Sequence, residues 1–363
     1  MHITIETKEL QKVVEIVSRV STKHATLPVL QCVLLEVKGS VLTVKATNLE
    51  IGIEGSVTAE VKEEGIVAVP AQILLQTINL ITQPTITLLN EGDTLQVEAR
   101  TSKTEIKSVP FDDFPKIPHI KSDSISITSE LFTLGIKSTA FTASQSSIKP
   151  ELGSIYIHQK KEHSLTFVAT DSFRLMEKTI PQKNISLEES ILIPYKNALE
   201  LARVAEGKTG EINLFINENQ CALKVDNIYI TSRLVSGTFP DYIQIIPKEY
   251  KSTVTLLTSD FAQALKKTNI FLNKFGQLTI SISEKMCTLS SQSGESGATT
   301  ETINATVEGE NITLNFNQRY ISDVVSHIID DSIRVRCAGV GRPIVIENVH
   351  DASMRYLVMP MNK

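Results

Sequence analysis

The chain of 363 residues carries 36 lysines and arginines against 41 aspartates and glutamates, is 41% hydrophobic, and contains no tryptophan. This balance excludes a disordered or collagen-like chain, and the formal net charge of −5 excludes the tight general capture of a polyanion that comes from neutralising many phosphates. No apolar run approaches the ~18–20 residues of a membrane span, Met1-His2-Ile3-Thr4-Ile5-Glu6 lacks a basic-then-apolar signal layout, and four separated cysteines without a CxxC pair point to reduced cytoplasmic thiols.

The first predicted element is an alternating strand, Ile3-Thr4-Ile5, followed by a helix with Thr7 as N-cap and Leu10, Val13, Val14 and Val17 on one face. A strand pair comes next, over 33–37 and 41–46, with Lys38-Gly39-Ser40 as its turn. A second helix spans 71–81. The same order then begins again. Ile125-Ser126-Ile127 leads into a helix capped by Ser129 and carrying Leu131 and Leu134, and a later helix covers 196–204, with strands at 211–216, 222–225 and 227–232 after it. A third round opens with Val254-Thr255-Leu256, continues with Ser259 before Phe261, Ala264 and Leu265, and places its second helix at 318–328.

Residue matches give the same division. Leu42-Thr43-Val44-Lys45-Ala46-Thr47-Asn48 reappears as Leu165-Thr166-Phe167-Val168-Ala169-Thr170-Asp171, an offset of 123. Val69-Pro70 returns as Ile193-Pro194 at 124, and Phe114-Pro115 as Phe239-Pro240 at 125. A fainter copy sets Cys287-Thr288-Leu289-Ser290-Ser291 in the place of the Leu42 strand and Phe316-Asn317 in that of Val69-Pro70. The chain therefore reads as three repeats, 1–121, 122–250 and 251–363, each an α+β domain with two helices on one face of antiparallel sheet. Independent beads are one arrangement open to such a chain. The favoured one joins like domains through equivalent edges into an arc or closed ring, which removes exposed sheet edges.

The helical segments 8–23, 71–82, 129–140, 195–208, 260–274 and 317–328 hold 12 basic and 7 acidic residues, so they carry +5 while the remainder carries −10. A mildly basic helical face on an acidic body suits weak, salt-sensitive and sequence-blind contact with a polyanion. Lys/Glu pairing on a solvated face produces the same count. Catalytic constellations are missing: there is no GxGxxG opening a βαβ unit, no Walker A, no HExxH, no GxSxG, and no histidine pair at i, i+4. Asp112-Asp113 and Asp330-Asp331 have a spacing seen in metal sites. Both read more simply as solvated turns, and a metal-dependent hydrolase using Asp112 and Asp113 is the weaker reading. Few aromatics and no RNP-like string exclude recognition by base stacking.

Thr26-Leu27-Pro28-Val29-Leu30, Ala169-Thr170-Asp171-Ser172-Phe173-Arg174-Leu175, Ser232-Arg233-Leu234, Phe239-Pro240-Asp241-Tyr242 and Tyr356-Leu357-Val358-Met359-Pro360-Met361 together resemble the bacterial DNA polymerase III beta subunits, the sliding clamps. The match is collinear over essentially the whole chain. It implies the DNA clamp fold: three tandem two-helix, antiparallel-sheet domains whose head-to-tail homodimer closes a ring around double-stranded DNA, helices inside and sheets outside. It also implies a processivity factor with no catalytic residues, cofactor or metal. Its partners would be the DNA polymerase III alpha subunit, the clamp loader complex, other polymerases, ligase and mismatch-repair proteins. A non-ring interaction scaffold, or a paralogue without replication duty, is the alternative.

Residue by residue, the resemblance implies a partner-peptide pocket at Leu152, Thr170, Phe173, Arg174, Leu175, Pro240, Ile245, Val358, Met359, Pro360 and Met361, where flexible methionines suit varied peptides. DNA-facing positions would be Lys12, Lys23, Lys149, Lys196, Arg203 and Lys266, with His24 where the family often has arginine. The dimer interface would join the region of Ile106 to that of Ile270 and Phe271. Ser172 stands where the family usually has glycine and Gln244 where many members have arginine, and the chain ends Asn362-Lys363 in place of Arg-Leu.

Overall fold

The computed structural model describes residues 1–22, 27–146, 148–183 and 185–361. Lys23 and His24 lie outside them. Among the described residues there are six α-helices: α1 (Thr7–Ser18), α2 (Ala71–Asn79), α3 (Ser129–Thr139), α4 (Tyr195–Ala205), α5 (Thr258–Thr268) and α6 (Gln318–Val325). α1 buries Leu10, Val13, Val14 and Val17, the face its periodicity predicts.

The expected N-caps are corrected. Each repeat's opening strand runs directly into its helix, so Thr7 and Ser129 are the first helical residues of α1 and α3 and Ser259 is the second of α5. A carbonyl of a distant loop satisfies the leading N–H instead: Thr7 donates to Pro84 O at 2.9 Å, Ser129 to Gly210 O at 2.9 Å, and Thr258 to Asp331 O at 2.9 Å. A tertiary acceptor thus replaces the local side-chain cap in every copy.

The chain forms two compact units, Met1–Thr133 with Lys196–Leu234, and Leu134–Tyr195 with Val235–Lys363. The first holds one twelve-stranded sheet. Its main path runs Ser102–Lys107, Thr94–Ala99, Thr85–Glu91, His2–Glu6, Ile51–Glu63, Ile228–Arg233, Gln220–Val225, Glu211–Ile216, Ser124–Thr128, with Val41–Thr47, Cys32–Lys38 and Gly65–Pro70 branching from the long central strand. The second unit holds the other twelve: Ile191–Pro194, Ser154–His158, Ser164–Thr170, Arg174–Pro181, Met354–Val358, Ile344–Asn348, Ser332–Cys337, Ser252–Leu257, Gly297–Gly309, Met286–Ser293, Gln277–Ser283, Ile312–Asn317.

One pairing explains why the compact units divide the second repeat between them. Ile228 to Ser232 pair antiparallel with Gly55 to Ile51, joining the second repeat to the first. Met354 to Val358 pair antiparallel with Lys178 to Arg174, joining the third to the second. The two junctions share one register, because Ile51 and Arg174 hold the same place relative to Leu42 and Leu165. Hydrogen-bonded sheet therefore runs from one repeat into the next.

The interior is apolar and tightly filled. In the second unit Phe261, Phe316 and Tyr356 are fully buried among Leu278, Leu289, Ile321 and Val324. Backbones approach side chains closely: a Cβ on Gly135 of α3 would lie 2.6 Å from the Phe167 ring. All four cysteines are buried and unpaired.

Candidate functional site

The clearest concave surface of the second unit is an apolar groove of about 330 Å³. Its walls come from the turn after strand Ser164–Thr170, from Met354–Val358 and the residue beyond it, from Pro240 through Ile245, and from the segment at Lys149 to Leu152. Local side chains shape the turn. Asp171 Oδ1 accepts from the N–H groups of Phe173 and Arg174, each at 3.0 Å, and Thr170 Oγ1 accepts from Ser172 N at 3.1 Å while donating to Arg174 O at 2.7 Å. Ser172 sits at φ +77°, a left-handed conformation that glycine adopts without strain. Met359 N then donates to Phe173 O at 2.8 Å and ties the chain's last stretch to the turn.

The turn pushes Phe173 outward, 61% exposed, and Ile245 and Met359 stand beside the same groove at 52% and 38%. Beneath them Leu175 and Leu357 form a buried floor. Such a dry floor with exposed apolar residues at its mouth suits aromatic or aliphatic anchors of an extended peptide.

The polar groups under the walls are engaged. Arg174 turns away from the groove: Nε donates to Asp171 Oδ2 at 3.0 Å, Nη1 to Asp323 Oδ2 at 2.6 Å and Nη2 to Phe141 O at 2.9 Å, with the guanidinium 4.6 Å from the centre of the Tyr320 ring. Burial works against its charge, but the bond to Asp323 and the Asp171 carboxylate outweigh burial and hold its pKa above the ordinary value. Tyr242 donates to Glu177 Oε2 at 2.6 Å, and His158 Nε2 lies 3.0 Å from the same hydroxyl. Burial, then the bond to Glu177, raises the Tyr242 pKa, while burial lowers that of His158. Neutral tyrosine and neutral imidazole thus hold this wall in place.

Of the residues expected in a pocket, the groove brings together Leu152, Thr170, Phe173, Arg174, Leu175, Pro240, Ile245 and Met359. Val358 is corrected: it is fully buried in the core, because side chains alternate along a strand and only Leu357 and Met359 share the groove face. Pro360 and Met361 are half-buried and are not among its walls, and Met361 N donates to Asn315 O at 2.7 Å. Sequence reasoning missed Tyr242, Leu357, Ser172 and Asp241, although all four stand within the quoted motifs and Leu357 follows from strand period. Glu151 and Pro343 carried no such signal. Lys149, expected to face DNA, is a groove wall.

Lys12, Lys196, Arg203 and Lys266 are exposed on α1, α4 and α5. Lys12 pairs with Glu9 at 2.6 Å and Arg203 with Glu200. Ile106 is corrected as an interface side chain: it is 2% exposed and turned into its own unit, and Ser102, Lys103, Thr104, Glu105 and Lys107 are the exposed residues of that strand. Ile270 is 67% exposed and Phe271 half-buried, both in the short 3-10 turn Asn269–Phe271. Among the described residues no cluster of three His, Cys, Asp or Glu is placed to hold a metal ion, and no helix is long and apolar enough to cross a membrane.

Three family models cover the chain: the DNA polymerase III beta subunit N-terminal domain over 1–118, its central domain over 126–241 and its C-terminal domain over 243–362. A beta sliding clamp of Vibrio cholerae is 29% identical over 99% of this chain and 100% of its own length. One of Staphylococcus epidermidis is 27% identical over 93% of each. The crystal structure of the DNA polymerase III subunit beta from Pseudomonas aeruginosa matches with a TM-score of 0.94 at 27% identity over 100% of both chains. The beta subunit of Thermotoga maritima gives 0.94 at 25% identity over 100% of this chain and 99% of that one. Triplicated sheet, shared junction register and family models agree: the chain belongs to the DNA polymerase III beta subunits, the sliding clamps.

Proposed function

We propose that two copies of this chain close head to tail into a ring around double-stranded DNA, and that the ring tethers DNA polymerase III and other DNA enzymes without catalysing a reaction itself. One observation carries this reading: the strand pairing that joins repeats has two unused ends. Residues Gly297 to Glu301 of strand Gly297–Gly309 occupy the place of Ile51 to Gly55 and Arg174 to Lys178, yet their outer edge has no partner strand among the described residues. Strand Ser102–Lys107 occupies the place of Ile228–Arg233 and Met354–Val358, and among the described residues it pairs only with Thr94–Ala99. Matching positions predicts Ser102 of one copy opposite Glu301 of the next, and Ile106 opposite Gly297. Ile270 and Phe271 flank that edge, where a Cβ on Gly297 would lie 3.8 Å from the Phe271 ring. The domain partition 1–121, 122–250 and 251–363 belongs to the same reading, with one junction per boundary and the third supplied by the second copy.

The exposed cations Lys12, Lys196, Arg203 and Lys266 would contact phosphates without reading bases, so a threaded ring holds DNA by topology and slides. The apolar groove would receive a peptide from the alpha subunit of DNA polymerase III, the clamp loader complex, other polymerases, ligase or mismatch-repair proteins. All would meet it in the cytoplasm. The test combines solution mass with retention on DNA. Sedimentation should give a dimer, and clamp loaded onto circular DNA by the loader and ATP should stay bound until the circle is cut. Equal loss from circular and linear DNA, or a monomer at micromolar concentration, would overturn the ring.

A further inference from the structure

The turn that frames the apolar groove has a near-copy in the first unit. Thr47 Oγ1 accepts from Leu49 N at 3.1 Å and donates to Ile51 O at 2.9 Å, as Thr170 does with Ser172 and Arg174. Asn48 Oδ1 accepts from Glu50 N at 3.0 Å and Ile51 N at 2.9 Å, as Asp171 does from Phe173 and Arg174. Arg233 N donates to Glu50 O at 2.8 Å, as Met359 N does to Phe173 O. Leu49 even shares the φ of +77° found at Ser172. Pro115 and Lys116 then stand where Pro240 and Asp241 stand, and the enclosed cleft measures about 280 Å³ against 330 Å³.

Side chains, not backbone, separate the two frames. Phe173 is replaced by Glu50, Leu175 by Gly52, Leu357 by Thr231 and Met359 by Arg233. Glu50 and Arg233 face each other at 3.9 Å and are 58% and 60% exposed. At Gly52 a Cβ would lie 3.0 to 3.3 Å from three atoms of Ile117, so Ile117 occupies the volume a leucine there would need. An apolar peptide laid on this frame would strip water from a carboxylate and a guanidinium without pairing them better, whereas on Phe173 and Met359 it covers apolar surface.

We propose that Glu50 and Arg233, of these four matched positions, make the first frame reject the apolar-anchored peptide that the second accepts. The inference rests on the second groove being a peptide site, and calorimetry separates the two. The full chain is titrated with a synthetic extended peptide bearing leucine and phenylalanine anchors. Wild type should take one peptide per protomer, E50F/R233M two, and E50F/R233M/F173A/M359E one, now in the first unit. R233M alone, a milder change, should show a weaker second event. If the folded double variant still takes one peptide, or wild type already takes two, the inference is overturned. A wild-type chain that takes none overturns the peptide reading itself.

Discussion

Phe173 and Arg174 are neighbours with opposite duties. Phe173 is held outward by hydrogen bonds its own side chain does not make, so F173A should leave the melting midpoint nearly unchanged. Peptide affinity should fall ten-fold or more, at least about 1.4 kcal/mol, as measured by fluorescence anisotropy. Arg174 is 7% exposed and satisfies two carboxylates and a carbonyl. R174M removes the buried guanidinium from Asp171 and Asp323 and leaves Asp323 with the exposed Arg319 at 3.8 Å, so it should destabilise the fold by about 3 kcal/mol in chemical denaturation. Peptide affinity should fall as well, because the turn loses its anchor on α6. The sequence motif names both residues as pocket residues without distinguishing them. The distant partners Phe141 O and Asp323, 33 and 149 positions away, make Arg174 a buried support.

At the level of elements, periodicity makes helices and strands legible, and their ends less so. The apolar stripe of α1 is plain in Leu10, Val13, Val14 and Val17, but its start is set by Pro84 O, which no local pattern reveals. The groove is legible to the same extent: its turn follows from Thr170-Asp171, while Val358 shares a motif with Leu357 and Met359 and only strand alternation turns it into the core. Gly135 is a helical glycine for a packing reason. G135A gains helix propensity of about 1 kcal/mol, yet its methyl meets a fully buried Phe167 ring that has nowhere to move. The overpacking cost of about 1–3 kcal/mol should prevail and lower the melting midpoint. Histidines make a pH prediction for the same unit. Burial holds both His158 and His327 below the ordinary imidazole range, with His327 stacked on Phe141 at 4.5 Å. A lowered folded-state pKa contributes stability above the unfolded value of about 6.5, lost as pH falls through the folded values. Thermal scans at pH 7.5 and pH 5 should therefore show a fall in melting midpoint that narrows in H158Q/H327Q.

For the whole molecule, the repeat was the most informative feature of the sequence, and its consequence lies in backbone that no side-chain motif describes. Ser108 N donates to Asp93 O at 2.8 Å just as Leu234 N does to Asn219 O at 2.8 Å, and Arg233 N points the other way, to Glu50 O. The N–H groups of Lys107, Glu105 and Lys103 therefore point away from the strand beside them. Proline is tolerated on an edge strand when the N–H it removes faces solvent. E105P should thus leave the isolated protomer folded, with little change in far-UV circular dichroism or melting midpoint measured at low concentration. It should also delete a hydrogen bond that the matched register directs to Ala298 of the next copy and place a ring against that strand. Sedimentation should shift from dimer to monomer, and retention on circular DNA should disappear while the Phe173 groove still takes its peptide. A variant that stays dimeric would mean that the copies meet through some other edge, and the equivalence of the three junctions would fail at the third.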